Sequence, residues 1–162
     1  MMGGGPLSLG ELSADALSAQ LLETANAIHG ARGRELRPLG WRLNSLADET
    51  MRRASAPGDT FEVIILRRLK AHENVRASVM HLALWDCRHP IETLRRAAET
   101  ARVMRAMQGW PSPVTPLGAS LDAWLLASAY TSVVAVWFVD RNAGRSLTRL
   151  AARLALRAIG LA

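Results

Sequence analysis

Between Asp122 and Asp140 the chain runs for seventeen residues, Ala123–Val139, without a single charge. A helix made of them has no polar face, so it must be enclosed by protein, by lipid or around an apolar guest. That demand shapes everything else, because neighbouring segments have to supply the covering faces. Several carry the pattern. Leu17, Leu21, Leu22 and Ala25 recur at helical spacing behind a cap at Ser13 or Asp15, which predicts a helix to about His29. Val63, Ile64, Leu66 and Leu69 do the same from Phe61 to about Ala71, behind Asp59 or Thr60. Val75, Val79, Leu82 and Trp85 mark another helix from about Glu73 to Leu84.

Gly30–Gly40, with Gly33 and Pro38, reads as a basic loop, followed by a helix over Trp41–Ser55 that Ala56-Pro57-Gly58 closes. Pro90 sits at the first turn of Ile91–Gln108. There Ile91, Leu94, Ala98, Ala101 and Met104 form an apolar face, with Arg95, Arg96, Glu99, Arg102 and Arg105 opposite. Gly109–Pro116 is a proline-rich connector. The apolar helix begins near Leu117 or Ser120, and a last helix starts near Ser146. No run alternates as strands do. The expected fold is an all-α bundle of about six helices, one domain over 13–162 behind a flexible lead at 1–12.

The solvent of the apolar segment has two readings. Seventeen residues is the short end of a bilayer span, and Ser128, Thr131, Ser132 and the flanking aspartates favour a buried central helix. A transmembrane helix with Arg141 onward on the cytoplasmic side is the alternative. Trp124, Tyr130, Trp137 and Phe138 cluster here beside small Ala and Ser residues, a layout that packs a core or frames a cavity. The candidate pocket is Val79, Leu82, Met104, Trp124, Leu125, Ala127, Tyr130, Val134 and Trp137.

The charge of +6 points to an anionic partner, and its distribution is uneven. From Arg141 to Ala162 there are five arginines, Arg141, Arg145, Arg149, Arg153 and Arg157, and no acid. Winding the final helix gathers the last four into an arc of roughly 120°. Leu147, Leu150, Leu154 and Leu161 fall on another face, and Leu156 drops into the arginine sector. A basic strip beside leucines suits an anionic membrane surface, with Arg149, Arg153, Arg157, Leu150 and Leu154 in contact; packing on the domain is the plainer alternative.

Catalytic and metal chemistry find little support. Cys87 is the lone cysteine, so no internal disulfide forms. His81, Asp86, Cys87 and His89 straddle a helix end without a second ligand pair, so no metal is expected. Gly3-Gly4-Gly5 lacks the strand and Lys-Ser/Thr of a phosphate loop. Asp48-Glu49 reads as part of an exposed helix face. The expectation is a non-enzyme without cofactor. Residues 13–55 show no clean helix-turn-helix, so specific nucleic-acid binding is not expected. Met-Met-Gly-Gly-Gly-Pro lacks a secretory pattern, so the expected location is the cytoplasm, either free or peripheral at the inner membrane face.

Over residues 66–154 the order of features resembles the ninth coenzyme Q biosynthesis protein family. Leu66-Arg67-Arg68-Leu69, Val75 to Leu84, Met104 to Gly109, Leu126-Ala127-Ser128-Ala129-Tyr130, Trp137-Phe138-Val139-Asp140 and Leu147 to Arg153 carry the likeness. The family is similar to the ligand-binding half of tetracycline-repressor (TetR) proteins. The resemblance implies a TetR-like C-terminal domain that binds an isoprenoid or quinone-like lipid and associates with membranes. It further implies a homodimer that presents quinone intermediates to a hydroxylase in ubiquinone biosynthesis. The rival reading is a TetR-like sensing and dimerisation domain of a transcriptional regulator, lacking a recognisable DNA-reading motif.

Overall fold

The computed structural model describes residues 8–110 and 121–161. Seven α-helices and no strand make up those residues: α1 (Ala14–Gly30), α2 (Leu36–Ala54), α3 (Phe61–Ala71), α4 (Arg76–Asp86), α5 (Pro90–Met107), α6 (Leu121–Val139) and α7 (Ser146–Ala158). The all-α expectation holds. The connector beyond Trp110 and the expected start of α6 at Leu117 or Ser120 lie outside the described residues, as do residues 1–7. The rest of the lead is tied down, with Arg53 donating to the carbonyls of Leu9 (2.8 Å) and Leu12 (2.7 Å).

Local chemistry sets the helix starts. Ser13 Oγ accepts from the Ala16 N–H (3.1 Å), and Thr60 Oγ1 accepts from the Val63 N–H (3.4 Å). Pro90 opens α5, where its missing N–H costs nothing. One expected boundary is overturned. The segment 36–40, read as the end of a loop, is the first turns of α2. Pro38 is tolerated there because it lies in the first helical turn. Gly40 breaks helix propensity for a packing reason: a Cβ on it would overlap Arg96 Nη1 and lie 3.1 Å from Leu82 Cδ1.

The helices enclose two apolar clusters. The larger joins α3, α5, α6 and α7, with Ile65, Ala101, Met104, Leu126, Val133 and Trp137 at its centre. The smaller joins α1, the first half of α2 and α4 through Leu21, Ile28, Leu43, Leu46, Val75 and Leu82. α6 lies between α5 and α7, its main partners. It buries Ala123, Leu126, Ala127, Ala129, Tyr130, Val133 and Trp137 and leaves Leu121, Leu125, Ser128, Ser132, Ala135 and Val139 exposed. It is also long and apolar enough to cross a membrane. Arg76 closes its C-terminus by donating to the carbonyls of Trp137 (2.9 Å) and Phe138 (2.8 Å).

Two faces differ from those the periodicity suggests. On α5, Ile91 and Leu94 are exposed, while Arg96 and Arg105 are buried with Ala97, Ala98, Ala101 and Met104. Ion pairs bring the two guanidiniums inside, Arg96 to Asp86 and Arg105 to Asp122 (3.4 Å). On α7, Thr148, Ala152 and Leu156 face the core, and Leu147, Leu150 and Leu154 stay more than half outside or at half, 50%, 54% and 56% exposed. Leu156, the apparent misfit, is the anchor. The inward face is chosen by Asp140, which accepts from the Thr148 N–H and hydroxyl (both 2.8 Å) and so fixes the rotation of α7 at its first turn.

Candidate functional site

Between the two apolar clusters runs a seam of buried polar side chains. Arg68 of α3 is its hub, fully surrounded by protein. Its Nε donates to Asp48 Oδ1 (2.6 Å) and its Nη2 to Asn44 Oδ1 (2.6 Å), both on α2. Its Nη1 reaches the Tyr130 hydroxyl on α6 and His72 Nε2 (2.7 Å). Thr100 of α5 donates to Asp48 (3.0 Å). The guanidinium therefore joins α2, α3 and α6, and Thr100 adds α5 through Asp48. Asp48 and Glu49, expected on an exposed face, are buried instead. Helix α2 is covered on that side by α3, which brings Arg68 to Asp48, while Arg52 and Arg53 fold back onto Glu49.

The electrostatics follow from burial. Burial raises the pKa of Asp48, with Arg68 pulling the other way. His72 is pushed well below the ordinary imidazole value, first by burial and then by the Arg68 charge, so its ring is neutral near pH 7. A guanidinium can only donate, so Nε2 accepts and the ring proton sits on Nδ1. That Nδ1 has no hydrogen-bond partner.

Alongside the seam lies a partly open cavity of about 100 Å³. Leu43, Leu82, Val79, Val134 and Trp137 give it apolar walls, while Asn44, Arg68, His72 and Arg96 give it polar ones. Arg96 presents the second orphan. It pairs through Nη2 with Asp86, yet its Nη1 is buried without a partner. Gly40 makes that position available, since any side chain there would occupy the guanidinium's space. His72 and Arg96 thus both line the cavity, and each holds one buried donor, Nδ1–H and Nη1, with nothing to accept from it. Leaving such groups buried and unmade costs about 1–3 kcal/mol each.

The sequence-derived pocket residues divide. Val79, Leu82, Tyr130, Val134 and Trp137 line this cavity. Met104 and Ala127 are buried in the larger cluster, Trp124 is half-buried against it, and Leu125 is exposed on α6. None of these four borders the cavity. The proposed membrane residues Arg149, Arg153, Arg157, Leu150 and Leu154 all lie on the outer surface of α7. The His81–His89 group does not assemble, and no three such ligands gather among the described residues. His81 faces the Ala31 carbonyl (3.3 Å), His89 stacks on Trp85 (3.9 Å between ring centres), and Asp86 serves Arg96.

Arg68, His72, Arg96, Asp48, Asn44 and Gly40 were not legible as site residues. The available signal was polarity at core spacing. Asn44 and Asp48 sit among Leu43, Leu46 and Ala47, and Arg68 and His72 continue the stripe of Ile64, Ile65 and Leu69. No protein-family model matches this chain, and no curated protein or solved structure matches it either.

Proposed function

We propose that this protein is a non-catalytic binder of an apolar molecule bearing hydrogen-bond acceptors. Two cavity-lining residues, His72 and Arg96, each with a buried donor that lacks an acceptor, carry this reading. The ligand is neutral, because Arg68 and Arg96 already have Asp48 and Asp86 beside them and no cation is left to balance an anion. Cavity size limits what enters. An apolar cavity of about 150 Å³ holds one benzene ring, so about 100 Å³ takes the edge of a ring or a short branched chain end, with the remainder of the guest at the open side. A carbonyl-bearing ring answers both donors. With the resemblance to the ninth coenzyme Q biosynthesis family, the favoured ligand is a quinone-like isoprenoid lipid, its tail running out of the cavity. The protein then assists ubiquinone biosynthesis by holding that lipid for a hydroxylase.

The outward leucines of α7 support work at a membrane. Each fully buried leucine contributes about 1.5–3 kcal/mol, and Leu147, Leu150 and Leu154 present one exposed stripe beside Arg149, Arg153 and Arg157.

Native mass spectrometry of protein purified from a quinone-producing host tests the ligand. A co-purifying neutral lipid is expected, and it should be lost in Val134→Phe, which fills the cavity, while the fold survives by circular dichroism. A chain that never carries a lipid, or that carries it equally well in Val134→Phe, would sink the proposal. Sedimentation with liposomes tests the surface: Leu150→Asp/Leu154→Asp should abolish binding to anionic vesicles.

A further inference from the structure

A second compartment lies across Trp137 from the seam cavity. It is a groove of about 860 Å³ between α3 and the α6–α7 corner. Its floor is apolar, from Val63, Leu66, Leu69 and the Trp137 indole. Six cations line it against two carboxylates, Glu62 and Glu73. Three of the six are matched: Arg153 to Glu62 (2.9 Å), Arg145 to Glu73, and Arg67 to Asp59 just outside the groove. Lys70 on α3, Arg141 in the corner and Arg149 on α7 have no carboxylate partner among the described residues. The α7 N-terminus takes no part in this excess, since Asp140 already occupies the Thr148 N–H.

We propose that this groove binds the phosphate of an amphiphile, with Lys70, Arg141 and Arg149 around the phosphate oxygens and the apolar chain along Val63 and Leu66. Three unmatched cations from three separate elements converge on one concave surface, and guanidinium pairs with phosphate oxygens in bidentate fashion. The apolar floor excludes a purely ionic guest such as a nucleotide backbone, which would leave the half-buried Val63 and Leu66 uncovered. The phosphate belongs either to a bilayer lipid headgroup or to a free alkyl or prenyl phosphate. The inference is independent of the cavity ligand, since it rests on other residues and another charge.

Isothermal titration of the full chain with dodecyl phosphate below its micelle concentration tests it, in parallel with sedimentation on phosphatidylglycerol vesicles. Lys70→Ala/Arg141→Ala/Arg149→Ala should weaken binding at least tenfold in whichever arm the wild type binds. Arg34→Ala/Arg88→Ala/Arg95→Ala removes the same charge from exposed positions outside the groove and should change it less than threefold. Binding of dodecyl phosphate assigns the free phosphate amphiphile, and binding of vesicles alone assigns the headgroup. Equal loss in both triple variants means diffuse attraction and overturns the site, as does a wild type that binds neither probe. Unchanged helical circular dichroism in both variants guards against misfolding. Val134→Phe leaves all three cations in place and should still bind phosphate within threefold of the wild type, which separates this result from any failure of the cavity proposal.

Discussion

His72 gives the protein a pH dependence whose sign is fixed by its surroundings. Its folded pKa lies well below that of an unfolded histidine, about 6.5, because burial and then Arg68 oppose the charged ring. Below about pH 6.5 the unfolded chain takes up a proton that the folded chain refuses, so stability falls as pH falls. The slope contributed by one such group is at most about 1.4 kcal/mol per pH unit. Urea unfolding between pH 7.5 and pH 5 should show this loss, and His72→Gln should flatten it. Asp48 does not supply the trend, because burial raises its folded pKa, so there the folded chain holds the proton more readily and falling pH acts in the opposite direction. A curve equally steep in His72→Gln would assign the effect elsewhere.

At the scale of elements, α7 separates two ways of reading an amphipathic helix. Judged by its sequence, the leucine face of α7 could meet a membrane or the domain; in the fold Leu147, Leu150 and Leu154 are outside, and Leu156 is fully buried beside Ala152 and Thr148. Leu156→Ala should therefore cost about 2–5 kcal/mol, and Leu150→Ala should stay within about 0.5 kcal/mol, both measured by denaturant midpoints in lipid-free buffer. The reverse order would mean that α7 is rotated. The same contrast marks what the sequence made legible. Helix positions came through clearly in α1, α3 and α5, because Ser13, Thr60 and Pro90 act locally and apolar spacing survives without its partners. The face of α5 was misread and that of α7 was left open between membrane and domain, because Asp86, Asp122 and Asp140 decide those rotations from other elements. Gly40 misled for a related reason: a glycine reads as a loop until the guanidinium that needs its space is known. The site suffered most, since five of nine pocket residues reach the cavity, yet its polar half is assembled from α2, α3 and α5 by tertiary contact alone.

At the scale of the whole molecule, the polar seam is what joins the two apolar clusters. Arg68 touches Asn44, Asp48, His72 and Tyr130, and Thr100 completes the carboxylate's shell. Removing one partner of a buried ion pair strands the other, at a cost of about 3–5 kcal/mol. Arg68→Ala and Asp48→Ala should each lose that much, whereas the double variant Asp48→Leu/Arg68→Met should recover much of it. Hydrogen exchange adds a spatial test: in Asp48→Ala, α1 and α4 should lose protection before α5 and α6. Uniform loss across all helices would show that the clusters hold together without the seam.

Trp137 forms part of the wall of both compartments, with Glu73 accepting from its indole N–H (3.3 Å) and Arg76 over its ring (4.9 Å to the centroid). A single rigid plane serving two rooms makes their occupants aware of each other. Any guest that tilts the ring from one side alters the shape offered on the other, and linkage requires the influence to run equally in both directions.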